Sequence, residues 1–200
     1  MFYLDLFRAL QEEKVRYLVV GGVAVNLHGI GRLTVDVDLM LALDAGNLGR
    51  FVAVARRFPL KPVVPVNLDD FADAAKVAGW IRDKGMLAFA LRSSDPATPT
   101  VDILVRPVVP FDEAWAHRVL RTVEGIEVPI ASVEDIMRLK ADLNPYPITD
   151  YWYEVTDEQI REHLARSPLD RLRWLDDARR FTLLARAAPL KVFREGKAQE

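Results

Sequence analysis

The sequence predicts an α/β (α+β) chain, with a mixed β-sheet flanked by helices over residues 1–130 and a helical portion over residues 131–200. Three observations carry this. Short β-rich runs alternate with stretches of helical period through the first 130 residues. Helix-start chemistry, without further strand signals, fills the remainder. Two hundred residues, half of them apolar, are enough for one core with a small helical appendage.

The elements follow in order. Over residues 2–13, Tyr3, Leu6, Phe7 and Leu10 recur at helical spacing, which makes an amphipathic helix. Residues 15–20 form a buried strand that ends in a tight turn at Gly21-Gly22. Residues 23–27 open a short helix, broken at His28-Gly29-Ile30-Gly31, and residues 33–43 read as a strand. A helix is expected over 48–58, an extended or looped segment with three prolines over 59–66, and a second helix over 69–81. Residues 86–91 and 100–105 are strands separated by a two-proline loop, and Val119–Val123 and Ile126–Ile130 flank Glu124-Gly125 as a hairpin. Beyond residue 131 only helices are expected. Ser132 with Asp135, Thr156 with Gln159, and Ser167 with Pro168 and Asp170 mark their starts, and residues 194–200 read as a frayed polar end.

Bulk properties narrow the function. The formal net charge of −2 gives no global sign of a nucleic-acid binder. The absence of cysteine removes disulfides, thiolate zinc sites and thiol nucleophiles, and none of the three histidines pairs at zinc-helix spacing. The first helix carries Asp5, Arg8, Glu12 and Glu13, unlike a signal peptide or a membrane span, so a cytoplasmic protein with no membrane association is expected.

The chemistry sits where the first two strands meet. In Thr34-Val35-Asp36-Val37-Asp38-Leu39 the side chains alternate, so Val35, Val37 and Leu39 can face the core while Asp36 and Asp38 share the opposite face. Two carboxylates one strand repeat apart repel unless a cation lies between them, and hard oxygen ligands suit Mg²⁺ or Mn²⁺. Val101-Asp102-Ile103 offers a third acid in the same setting. Three such acids can serve an in-line phosphoryl transfer. The glycine pair lets backbone N–H groups approach a triphosphate at a helix start, where the helix dipole favours negative charge.

Gly21-Gly22, thirteen residues, Asp36-x-Asp38 and a distant Asp102 between hydrophobic residues resemble the pattern of the nucleotidyltransferase (polymerase-β-like) superfamily. Arg32-Leu33-Thr34-Val35-Asp36-Val37-Asp38 resembles the R-x-T-x-D-x-D form of AbiEii-type toxin nucleotidyltransferases, and Ala24, His28-Gly29 and the 132–136 stretch with Lys140 fit the same relatives. After Lys140, where that family usually continues R-x-K-D-x-x-D, this chain has Asn144-Pro145-Tyr146-Pro147 and Asp150-Tyr151-Trp152-Tyr153. The resemblance implies a nucleotidyltransferase-fold core and a Mg²⁺-dependent transfer of an NMP from an NTP to an acceptor hydroxyl. Asp36, Asp38 and Asp102 would be catalytic and metal-binding, and Gly21, Gly22, Arg32 and Lys140 nucleotide-binding. The resemblance further implies RNA or tRNA as the acceptor in a toxin–antitoxin setting, with a cognate antitoxin or toxin protein as partner. The alternatives are AMPylation of a partner protein, or a non-catalytic antitoxin-like binding module with the same fold.

Structural readings stand beside these. A lone D-x-D also marks GT-A glycosyltransferases or a solvated strand end, and glycine pairs suit any tight turn. Arg32 pairs equally well with a core carboxylate, Thr34 reads as structural, His28 as a loop histidine with a local hydrogen bond, and Ser132 as an N-cap. Lys140 falls on the Val133, Ile136 and Met137 stripe, where it either snorkels to solvent or meets the triphosphate. Tyr146, Tyr151, Trp152 and Tyr153 could stack on a base, but packing is the favoured reading. Arg171, Arg173, Arg179 and Arg180, interleaved with Asp170, Asp176 and Asp177, read as a solvated ion-paired face.

Overall fold

The structure, a computed structural model, describes residues 1–95, 97–143, 156–187, 192–194 and 197–199. The aromatic segment at Tyr146 and Tyr151 to Tyr153 lies outside them. Helix α1 (Phe2–Glu12) buries Tyr3, Leu6, Phe7 and Leu10, as its period requires. Strand β1 (Tyr17–Val20) is buried at all four residues, because both of its faces are covered. The other strands of the main sheet are β2 (Asp36–Leu41), β3 (Leu60–Pro62), β4 (Ala88–Ser93), β5 (Thr100–Leu104), β6 (Val119–Val123) and β7 (Ile126–Ile130). They form one seven-stranded sheet in the order β3-β4-β5-β2-β1-β7-β6. The sheet is mixed, as expected. Strand β1 runs antiparallel to β2 and parallel to β7, and β2 runs parallel to β5. Pro62 sits in edge strand β3, where a missing N–H is tolerated. The β6–β7 turn has Glu124 and Gly125 both at positive φ (50° and 75°), the two-residue geometry that matches strand twist.

Alternation along the strands divides the core. Val19, Val37, Leu39, Phe89, Val101, Ile103, Val128 and Ile130 belong to the larger layer, with α1, α3 (Ala45–Arg57) and α4 (Ala74–Lys84). Leu172 and Leu175 of α8 (Pro168–Ala187) join that same layer. Leu18, Val20, Met40 and Leu104 form a smaller layer with Ala114 of α5 (Phe111–Ala116) and Leu139 of α6 (Val133–Leu143). This second layer covers Met40 and Leu104 and stops there. Asp36 and Asp38 continue the row of Met40, and Asp102 continues that of Leu104, so all three acids fall at the uncovered start of this face.

Several elements depart from the sequence reading. Helix α2 (Gly21–His28) begins at the glycine pair itself rather than at residue 23. Residues 33–35 are not in β2, because Asn26 fastens this stretch to α2: its Nδ2 donates to the carbonyls of Gly22 (2.9 Å) and Arg32. The helix expected over 69–81 is divided into a 3₁₀ turn (Leu68–Ala72) and α4. The boundary is Asp73, whose carboxylate accepts from the N–H groups of Ala75 and Lys76 at 2.9 and 3.2 Å. The three expected caps are in place at Ser132, Thr156 and Ser167, the second as a full capping box at the start of α7 (Asp157–Ala165). The polar end is not wholly frayed, since β8 (Val192–Arg194) pairs with β9 (Lys197–Gln199).

The arginines of α8 also differ from a solvated face. Arg173 and Arg180 are outward and paired with Asp170 and Asp176. Arg171 and Arg179 are buried. Arg171 reaches the carbonyls of Leu27, His163 and Leu164 at 2.9, 3.1 and 2.9 Å, filling carbonyls left open at helix ends. Among the described residues no helix is long and apolar enough to cross a membrane.

Candidate active site

Asp38 stands directly opposite Asp102 in the parallel β2–β5 pair, and Asp36 stands opposite Thr100. Residues opposite one another share a face, so the three carboxylates and the Thr100 hydroxyl are neighbours on the open end of the sheet. Burial pushes the Asp38 carboxyl up to about 6, and the charges of Asp102 and Asp36 push in the same direction. Arg32 and the Gly22 N–H oppose them. Burial also raises Asp36, against a hydrogen bond from Thr100 and the charge of Arg92. Asp102 is raised by burial and by Asp36, again opposed by Arg92, and its buried Oδ1 has no hydrogen-bond partner among the described residues.

The glycine pair is built into the same site. Gly21 has φ +59°, and a Cβ there would lie 1.9 Å from Oδ2 of Asp38. A Cβ on Gly22 would lie 2.5 Å from the Cβ of Thr34. The start of α2, whose N-cap Val20 supplies no side-chain cap, therefore closes onto the acid row, and its Gly22 N–H meets Asp38.

The remaining sequence candidates divide. Arg32 is exposed, and its charge acts on Asp38. Thr34 packs against Gly22, in keeping with a structural role. His28 ends α2 and bonds through Nε2 to the carbonyl of Ala131 at 2.8 Å, a tie across 103 residues rather than a local one. Lys140 is exposed on α6, whose buried positions among the described side chains are Asp135 and Leu139, with Ile136 partly buried. Val133 and Met137 are exposed, so the stripe read from the sequence is not the buried one. Asp135 takes the inner position because Ser132 (2.9 Å) and Arg138 (3.2 Å) satisfy its carboxylate.

The family described as nucleotidyl transferase AbiEii toxin, Type IV TA system, matches residues 4–146. The chain belongs to this AbiEii family. It is a nucleotidyltransferase. No curated protein matches it in sequence. Solved structures of similar shape include a solution structure of the antibiotic-resistance factor ANT(2'')-Ia, at 17% identity and a TM-score of 0.48, covering 93% of each chain. The lincomycin-bound lincosamide antibiotic adenylyltransferase LnuA has 15% identity and a TM-score of 0.44, over 87% of this chain and 94% of that one. A putative nucleotidyltransferase (TM1012) from Thermotoga maritima has 14% identity and a TM-score of 0.46, over 72% and 83%.

For this AbiEii-family chain the fit to a divalent ion can be tested on the site itself. The donor set is all carboxylate oxygen, Asp36 raises Asp102 and both raise Asp38, and one buried oxygen of Asp102 has no partner among the described residues, each in keeping with a hard cation. Among the described residues no three His, Asp or Glu side chains are already gathered around one point. The acids thus suit such an ion without forming a closed cage.

Three residues of this site escaped the sequence reading. Thr100 lies two positions before Asp102 and so shares its face by alternation, which was legible. Asn26 lies one helical turn after Gly22, a weaker signal. Arg92 enters only through the β4–β5 pairing, which sequence spacing does not reveal.

Proposed function

We propose that this AbiEii-family chain transfers an NMP from an NTP to an acceptor hydroxyl, with a divalent metal held by Asp36, Asp38 and Asp102. The observation that carries this is the in-register pair Asp38–Asp102, with Asp36 on the same face, set against the start of α2. The three carboxylates would hold Mg²⁺ or Mn²⁺, which supplies neutralisation of triphosphate charge and a more acidic acceptor hydroxyl. Gly21 and Gly22 present backbone N–H groups to the phosphates, and Arg32 and Lys140 add positive charge. Asp102 accepts the proton of the acceptor hydroxyl. Its buried Oδ1, with no partner among the described residues, supports that role. The acceptor oxygen then forms a bond to the α-phosphorus, the bond from that phosphorus to the β-phosphate oxygen breaks, and pyrophosphate leaves. Thr100 and Arg92 oppose the burial that raises Asp36, which favours its charged form as a ligand.

The acceptor in this reading is RNA, tRNA included; the description of the AbiEii family as a toxin of a Type IV TA system supports the toxin–antitoxin setting, with a cognate antitoxin as partner. Incubation with each labelled NTP, Mg²⁺ and either total RNA or lysate protein tests this. Label in RNA is the expected outcome. Label confined to one protein band assigns the AMPylating role instead, and no label in either fraction with all four NTPs overturns the transfer reading.

A further inference from the structure

The carboxylate site is connected to helix α8 through a buried arginine that the chemistry above does not use. Arg179 is 3% exposed. Its guanidinium donates to the carbonyl of Ala97 in the β4–β5 loop and lies 3.5 Å from Asp176, one turn back on the same helix. It also lies against the Tyr3 hydroxyl of α1. Three residues after Ala97 the chain enters β5 at Thr100, which stands opposite Asp36, and two residues later it reaches Asp102, opposite Asp38. Among the described residues the loop's own hydrogen bonds are short-range: the N–H groups of Ala97 (2.8 Å) and Thr98 (3.0 Å) and the Thr98 hydroxyl (3.3 Å) donate to Asp95, and the Asp95 N–H donates to the Ser93 hydroxyl (3.1 Å).

Stability alone is a poor account of Arg179. A buried guanidinium carries a large desolvation cost, which one carboxylate at 3.5 Å offsets only in part. Its Nε has no hydrogen-bond partner among the described residues. A methionine of similar length would fill that space without a charge to accommodate. What an apolar side chain cannot do is grip the Ala97 carbonyl.

We propose that Arg179 is a positioning residue: by holding the Ala97 carbonyl it fixes the entry of β5, and with it Thr100 on Asp36 and Asp102 opposite Asp38. Its catalytic effect rests on the transfer reading above, whereas its hold on the loop does not. Arg179 touches neither acid, so its influence runs through the backbone of residues 97–102. A misplacement of about 1 Å at the reacting groups costs on the order of 100-fold in rate.

The test compares the full chain with Arg179→Met, Arg179→Lys and, as a control on the outer face of α8, Arg173→Gln. Hydrogen exchange of the Ala97, Thr98 and Thr100 amides and steady-state NMP transfer are the two readouts. Arg179→Met is expected to quicken exchange at those three amides about tenfold or more while α1 and α3 keep their protection. It should lower kcat on the order of 100-fold with KM for the NTP within about twofold. Arg179→Lys, which retains a donor for the carbonyl, should recover most of both losses, and Arg173→Gln should change neither. Unchanged exchange at the loop, or faster exchange spread evenly over the fold, overturns the positioning role. So does a loss that falls on KM or that lysine does not rescue. If no variant transfers a nucleotide but the loop alone loosens in Arg179→Met, the hold on the loop stands and the transfer reading is what fails.

Discussion

Gly21 and Asp38 are in such close apposition that the chain has no room for a side chain between them: a Cβ on Gly21 would sit 1.9 Å from a carboxylate oxygen of Asp38. The acid row and the start of α2 are therefore one construction. The turn that begins the helix at Gly21 is fitted to the carboxylate of Asp38, 17 residues later in sequence.

Gly21→Ala should separate strain from collision when it is compared with Gly85→Ala. Both glycines have φ near +60°, yet nothing lies within 4 Å of a Cβ on Gly85. Gly85→Ala therefore carries only the left-handed backbone cost, about 1–2 kcal/mol, and should leave transfer intact. Gly21→Ala adds displacement of Asp38, so it should be the less stable of the two in urea and should lose transfer activity. Equal stability losses and equal activity would show that the apposition has no consequence.

Asp38→Asn should stabilise the fold at pH 8, and by less as the pH falls. A carboxyl raised to about 6 favours the protonated form in the folded chain. That contribution is complete below the unfolded value near 3.8 and is lost as pH rises through about 6. Above that, wild type carries a buried, like-charged carboxylate, while asparagine is indifferent to pH. The difference should be at most about 3 kcal/mol, read from urea midpoints at pH 5 and pH 8. A variant less stable than wild type at both values would contradict it.

Mg²⁺ or Mn²⁺ should raise the thermal midpoint of the wild type, since an ion between the acids removes their repulsion and binds only the folded chain. At a concentration of 100 Kd the linkage amounts to about 2.7 kcal/mol. Asp36→Ala should abolish the rise and leave the fold intact. An equal response in the variant would place the ion elsewhere.

How much of this was legible depends on the range of the interaction. Strand alternation alone put Asp36 and Asp38 on one face and offered Asp102 as a third acid in a similar setting; the β2–β5 register is what sets Asp102 opposite Asp38. The caps at Ser132, Thr156 and Ser167 and the Glu124-Gly125 turn are local chemistry and were readable as such. Residues 33–35 read as strand because their own pattern alternates, but the Asn26 amide and the Gly22–Thr34 contact decide their course. Arg171 and Arg179 sit among acids in sequence like any solvated helix face. Their burial is set by carbonyls of Leu27 and Ala97, 144 and 82 residues away. On α6 the apolar stripe misled because Asp135, the residue least expected inside, is satisfied by Ser132 and Arg138 and takes the inner position.

That last point alters what Lys140 is expected to do. On a buried stripe its replacement by methionine would improve packing. The structure leaves Lys140 exposed, on the side of α6 where Val133 and Met137 are also exposed. Lys140→Met should therefore leave the urea midpoint within about 0.5 kcal/mol of wild type, as surface substitutions generally do. Its effect should appear in nucleotide binding. A charge-assisted contact to a phosphate contributes about 1.5–3 kcal/mol, which corresponds to roughly a 10- to 150-fold weaker Kd for a non-hydrolysable NTP analogue. Ionic strength supplies a second check, because an exposed lysine acting on a triphosphate is screened. The gap between wild type and variant should narrow as salt rises from about 0.05 to 0.5 M. Equal affinity in both proteins at low salt removes Lys140 from the nucleotide site and leaves Arg32 and Arg92, whose charges already bear on the acids, as the basic side chains to test next.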